Sequence, residues 1–166
     1  MPSATPQFES KRSEIGELLY QFKYRGDRSG LAAICEAVAA FVRQSGLSFD
    51  LIATVPPSNE LRRCQPLPGI AKGVAERLSC PYRSDALVKV RQTQELKAVF
   101  DLEQRRTLLQ GVFRAVPQIL EERSVLLLND LRRSGATLNE AAREILENGR
   151  AKFLVVITLT KTRSNR

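Results

Sequence analysis

The segment Val125 to Leu138, VLLLNDLRRSGATL, restricts this chain more than any other. Four apolar residues, Val125 to Leu128, lead into Asn129-Asp130 and then a short polar loop with Arg132, Arg133, Ser134 and Gly135. Thr137 and the run NEAAREILENG that follows read as a helix. An unbroken apolar run fits a parallel strand buried on both faces. The loop after such a strand lies at its carboxyl end, where open α/β sheets bind ligands. Small residues at the start of the next helix leave backbone N–H groups facing outward, ready for an anion. Ser134 and Thr137 add hydroxyls, Gly135 permits close backbone approach, and Arg132 and Arg133 add cations that bind phosphate bidentately. A plain strand-to-helix connection needs none of the arginines, so the segment reads as a phosphate cradle with a carboxylate beside it. Asp130 is suited to accept hydrogen bonds from sugar hydroxyls, and Asn129 grips hydroxyls without bringing charge.

The remaining chain supplies the frame. Residues 1–9 are polar and read as frayed. SEIGELLYQFKYRGD carries a helical stripe at Ile15, Leu18, Leu19 and Phe22 that ends near Gly26. Asp27 or Ser29 is positioned to cap the next helix, LAAICEAVAAFVRQ, which stops before Gly46. FDLIATV (49–55) reads as a buried strand opening into a loop with Pro56, Pro57, Pro66 and Pro68, ahead of the helical IAKGVAERL. ALVKV and VFRAV read as short strands, with LEQRRTLLQG as a helix between them. In that helix Leu102, Leu108 and Leu109 are expected inward, and Arg105 and Arg106 on a solvated face. The final helix is expected to reach about Asn148 with Gly149 at its C′ position, before the strand KFLVVITLT. Alternating strands and helices predict an α/β fold, one domain over 1–166, with a parallel, doubly wound sheet closed by a right-handed βαβ unit over 124–160. GIAKG (69–73) lacks the ending and spacing of a Walker A loop.

Composition excludes several chemistries. The chain has no histidine, which rules out an imidazole base and His-ligated metal. Cys35, Cys64 and Cys80 are scattered with no CxxC pair, so a zinc site or disulfide framework is not expected and a reducing cytoplasm is. No apolar run approaches the ~18 residues of a membrane span, and the N-terminus lacks a secretory h-region. The net charge is +8, distributed along the whole length. That balance suits a polyanionic partner, a phosphorylated metabolite or DNA, or serves solubility alone.

VLLLNDLRRSGAT resembles the signature of the type I phosphoribosyltransferases: four hydrophobic residues, two acids, a short variable stretch, then Thr-Thr-Gly-Ala-Thr. By that resemblance Asn129 and Asp130 take the acidic, catalytic positions at the ribose. Arg132 and Arg133 with Ser134, Gly135, Ala136 and Thr137 take the 5-phosphate loop. Two positions depart from the pattern, Asn129 where an acid is usual and Arg133 where a hydroxyl residue is usual. FKYRGDRSGLA, DLIATVPPSNELRR and VRQTQELKAVFDLEQRRTLLQGVFRA resemble the ComF-like, competence-associated branch, in that branch's order. Its N-terminal cysteine zinc ribbon is absent, and its Arg-Gly-Phe-Asn-Gln segment is replaced around Cys64 to Pro68.

The resemblance implies a diphosphate loop at Pro56, Pro57, Ser58 and Asn59, with Arg62 and Arg63, and a mobile catalytic loop over Arg91 to Asp101 that includes Thr93, Gln94 and Lys97. Each has a plainer reading, a proline-shaped surface loop and a passive connection. The implied reaction displaces diphosphate from phosphoribosyl diphosphate by a nitrogen nucleophile, with Mg2+ carried in by the substrate. The alternative is a catalytically weak or silent protein of the same fold that senses a phosphoribosyl ligand or assists DNA uptake. Residues 1–30 hold candidates for an acceptor pocket. Tyr20, Phe22 and Tyr24 form either a homodimer patch or a face packed on the sheet.

Overall fold

The computed structural model describes residues 12–57, 64–92, 102–132 and 134–161. Three strands build the main sheet: β1 (Leu51–Thr54), β4 (Ser124–Arg132) and β5 (Phe153–Lys161), all parallel in the order β1-β4-β5. Thr54 lies opposite Leu128, and Leu128 opposite Ile157, so the carboxyl ends of β1 and β4 meet at one edge. A parallel bridge between Ile52 and Tyr82 extends the sheet beyond β1.

Alternation along the strands divides the core in two. Ile52, Leu126 and Leu128 face α1 (Glu14–Tyr20), α2 (Leu31–Ser45) and α3 (Pro66–Leu78). Leu51, Ala53, Val125 and Leu127 face α5 (Pro117–Leu120), α6 (Ala136–Arg143) and buried residues between Ala86 and Ala115. Both faces are covered, which explains why the β4 run is apolar without alternation. Leu126, Leu127 and Leu128 are fully buried, and truncating any of them to Ala costs about 2–5 kcal/mol. On one face α2 and α3 approach closely, because a Cβ on Gly73 would sit 2.5 Å from the Cys35 sulfur.

The doubly wound α/β architecture stands, but its strands are not all parallel. β2 (Leu87–Lys89) and β3 (Phe113–Ala115) form a separate antiparallel pair, with α4 (Leu102–Leu109) between them in sequence. Phe113 and Ala115 are buried while Arg114 is exposed, the one-sided alternation typical of antiparallel strands.

Helix ends also differ from expectation. Ser13 caps α1 by accepting the Gly16 N–H at 3.1 Å. Neither Asp27 nor Ser29 caps α2: Asp27 closes a local turn on the Ser29 N–H at 2.8 Å, and Gly30 takes the cap position. α3 begins at Pro66, earlier than its apolar periodicity suggests, because proline is tolerated in a first turn. Leu108 is 45% exposed and only Leu109 points inward, while the side chain of Leu102 is outside the description. After α6 the chain widens into a π-helical turn, Glu144–Asn148. The left-handed residue there is Arg150, not Gly149. Gly149 is needed for space instead, since a Cβ would fall 2.5 Å from the Ile145 carbonyl oxygen. Among the described residues no helix is long and apolar enough to cross a membrane.

Candidate functional site

β4 runs on to Arg132, beyond the point where the polar pair was expected to end it. Because consecutive side chains in a strand point to opposite faces, Asn129 and Asp130 diverge. Asn129 shares the face of Val125 and Leu127, the one covered by the first residue of α6, Ala136. It is 6% exposed, and among the described residues its buried Nδ2 has no hydrogen-bond partner. Asp130 takes the other face, where the Lys23 ammonium donates to its Oδ2 at 2.5 Å. Only 16% of the Lys23 side chain and 26% of the Asp130 side chain are exposed. Thr160 on β5 donates its hydroxyl to the Asp130 carbonyl at 2.7 Å, fixing the backbone at this point.

Lys23 was not singled out in the sequence. It sits on a π-helical turn, Gln21–Arg25, that widens the end of α1 before Gly26 reverses the chain at φ 71°. Such turns recur at functional positions. Cys64, where the chain returns from the proline loop, donates its thiol to the Phe22 carbonyl at 3.2 Å. The turn is thereby tied to the loop that leaves β1.

The cradle itself is a tight turn. Gly135 adopts φ +84°, and a Cβ there would come within 3.2 Å of the Arg132 Nε. The Arg132 guanidinium therefore lies along the turn. Ser134 is exposed, and its hydroxyl accepts the Ala136 N–H at 3.4 Å. The Asn139 N–H closes the first helical bond onto the Gly135 carbonyl at 2.8 Å. The amides of Ala136, Thr137 and Leu138 precede that bond and belong to the outward-facing set at a helix start. Arg133 lies outside the described residues.

The proline loop starts at the same sheet edge. The Val55 N–H donates to the Leu128 carbonyl at 3.1 Å, carrying the β1–β4 ladder one residue further, and Pro56 and Pro57 follow. Ser58, Asn59, Arg62 and Arg63 lie outside the described residues, as do Thr93, Gln94 and Lys97. Arg91 is described, and its guanidinium donates to the carbonyls of Leu108 and Gln110, both at 2.9 Å. It pins the start of the 91–101 segment to the carboxyl end of α4, where a cation is favoured. Of the aromatic trio, Phe22 is buried, Tyr24 is 63% exposed and Tyr20 stacks against Tyr24 at 4.9 Å. Burial raises the pKa of the Cys35 and Cys80 thiols, which suits packing rather than nucleophilic work.

The strand end fits a resident magnesium ion poorly. Asp130 is engaged by Lys23, Asn129 offers one neutral carbonyl oxygen, and among the described residues no group of three or more acidic or thiol side chains is placed to hold a metal ion. Magnesium favours carboxylate and phosphate oxygens. Any metal at this edge would have to arrive on a phosphorylated substrate.

No protein-family model matches this sequence, and neither does any curated protein. The fold, by contrast, has many counterparts among solved structures. The glutamine phosphoribosylpyrophosphate amidotransferase from B. subtilis, complexed with ADP and GMP, superposes with TM-score 0.56 at 18% identity, over 85% of this chain and 30% of that one. Adenine phosphoribosyltransferase from Thermoanaerobacter pseudethanolicus gives TM-score 0.55 at 18% identity, over 82% of this chain and 71% of that one. The Leishmania donovani adenine phosphoribosyltransferase gives TM-score 0.55 at 13% identity, over 97% and 61%. The chain thus spans less than a third of the amidotransferase and most of the smaller enzymes. Its parallel sheet flanked by helices is the fold of the type I phosphoribosyltransferases.

Proposed function

We propose that this protein binds a 5-phosphorylated ribose ligand, phosphoribosyl diphosphate or a related nucleotide metabolite, at the carboxyl end of β4. The observation that carries the reading is the Gly135 turn at φ +84°, which opens the amino end of α6 at the sheet edge where α/β folds bind ligands. The amides from Ser134 to Thr137, with Arg132 and Arg133, would hold the 5-phosphate. Asp130 and Asn129 would meet the ribose from two sides of the strand. The Pro56-Pro57-Ser58-Asn59 loop with Arg62 and Arg63 would lie toward a diphosphate, and the 91–101 segment would cover it. The same segments carry the likeness to the ComF-like branch.

Transfer would break the C1–O bond to diphosphate, which leaves with the electron pair. A C1–N bond would form to the acceptor, whose proton passes to solvent. The transition state places positive charge on the ribose, so catalysis needs negative charge nearby. Here one of the two positions is a neutral amide and the other carboxylate is paired with Lys23. These two observations favour binding over turnover, in the manner of a ligand sensor with the transferase fold.

Calorimetric titration with phosphoribosyl diphosphate and with ribose 5-phosphate tests the reading, run beside an assay for released diphosphate. Gly135→Val forces a branched side chain into a left-handed turn beside Arg132 and should weaken either ligand by at least about tenfold, roughly 1.4 kcal/mol. Unchanged affinity in a folded Gly135→Val variant would overturn the assignment.

A further inference from the structure

We propose that Lys23 makes the strand end a metal-independent receptor, one that takes the bare 5-phosphorylated ribose in preference to a magnesium-loaded diphosphate donor. The inference rests on the binding reading above and names the form of ligand that the site accepts. It starts from an ion pair spanning 107 residues of sequence, between the π-helical turn after α1 and the end of β4. Surface pairs between long, exposed side chains contribute little. This one is mostly covered on both partners, and it sits at the ligand edge of the sheet rather than on an outer helix face.

Its consequence is electrostatic. Lys23 neutralises the Asp130 carboxylate, and Asn129 brings no charge of its own. A divalent cation brought to this edge meets the Lys23 ammonium already seated on the carboxylate that would have attracted it. A phosphate monoester dianion is instead favoured by the Lys23 ammonium and by the positive amino end of α6. The buried Nδ2 of Asn129 adds a second preference. Among the described residues it is a donor without an acceptor on the α6 side of the strand, and leaving it so is costly. A ribose hydroxyl oxygen can supply that acceptor, whereas a metal ion cannot. Both features select a sugar phosphate that comes without its cation.

The test compares ribose 5-phosphate and phosphoribosyl diphosphate, each titrated with magnesium and with a chelator. For the wild-type protein the affinity for ribose 5-phosphate should be unchanged by magnesium, within about twofold, and phosphoribosyl diphosphate should gain nothing from it. Lys23→Met should lose about tenfold in affinity for ribose 5-phosphate, whereas Lys23→Arg should stay within about threefold of wild type. Wild-type binding that requires magnesium, or a Lys23→Met protein that binds as wild type does, would overturn the inference and leave the binding reading standing. Failure of both ligands under every condition would overturn both. The wild-type comparison decides the matter even where Lys23→Met does not fold.

Discussion

Two polar clusters flank the turn between β4 and α6, and they are built on opposite principles. Along α6 and its π-helical turn, Arg143 donates to Glu140 at 2.9 and 3.1 Å, to Glu144 at 3.5 Å and to Glu147 at 3.1 Å. Glu144, 6% exposed, also accepts from the Asn148 amide at 2.6 Å and the Ala115 N–H at 3.2 Å. Glu140 accepts the Gly111 N–H at 3.0 Å. This cluster saturates itself and ties the helix to the β3 segment. At the strand end, among the described residues, Asn129 buries an amide with no partner, and Asp130 relies on one cation from the far end of the chain. Saturated polar groups hold a fold, whereas an orphaned one beside an open helix start marks a place kept for something else.

The comparison is sharpest at Glu144. Replacing it with Leu strands the Ala115 N–H, the Asn148 amide and part of Arg143, and should destabilise the protein by about 2–3 kcal/mol. A lowered urea midpoint at unchanged slope would register it, and an unmoved midpoint would show that the cluster is decorative.

Asn129→Leu should do the reverse. Removing an unpaired buried amide should raise the stability of the ligand-free protein by about 1 kcal/mol while weakening ribose 5-phosphate binding. Such a trade of stability for binding is expected at a functional site and not in a structural network. Loss of stability in Asn129→Leu would place Asn129 in the same class as Glu144.

The smallest expected effect concerns pH. Hydrogen bonds from Arg143, aided by the Gly111 N–H and the Arg143 charge, hold the Glu140 carboxyl below its ordinary value, and the same pairing raises the Arg143 guanidinium. The folded-state pKa is depressed, so the contribution is present above the unfolded carboxylate's value and is lost as pH falls through the folded one. Arg143 is 38% exposed, so the term amounts to roughly half a kcal/mol. Glu140→Gln should flatten the acid limb of a stability-against-pH curve by that amount, and an unchanged limb would remove Glu140 from the network.

Much of this arrangement was legible because it is local. The apolar run Val125 to Leu128 announces a strand covered on both faces, and Gly135 announces a point of close backbone approach, which the structure realises as a turn at positive φ. The helix-to-strand succession after it gave the closing parallel pair. What escaped depends on distance or on packing. Lys23 meets Asp130 across most of the chain, and no local pattern signals such a pair. Asn129 and Asp130 read as a couple because a polar loop follows them in sequence, and the extension of β4 to Arg132 sends them to opposite faces. Gly149 looked like a left-handed cap, but its smallness serves the Ile145 carbonyl and Leu120, which only the folded packing reveals. VFRAV reads as a short strand, but three residues are too few to fix its direction.

The central claim is that the β4–α6 turn receives a sugar phosphate, and backbone amide resonances report on it directly. Titration of the wild-type protein with ribose 5-phosphate should shift the amides of Gly135, Ala136 and Thr137 most. The amides of Gly111 and Ala115, inside the saturated cluster, should stay in place. Shifts spread over basic surface residues, with the 135–137 amides unmoved, would contradict it.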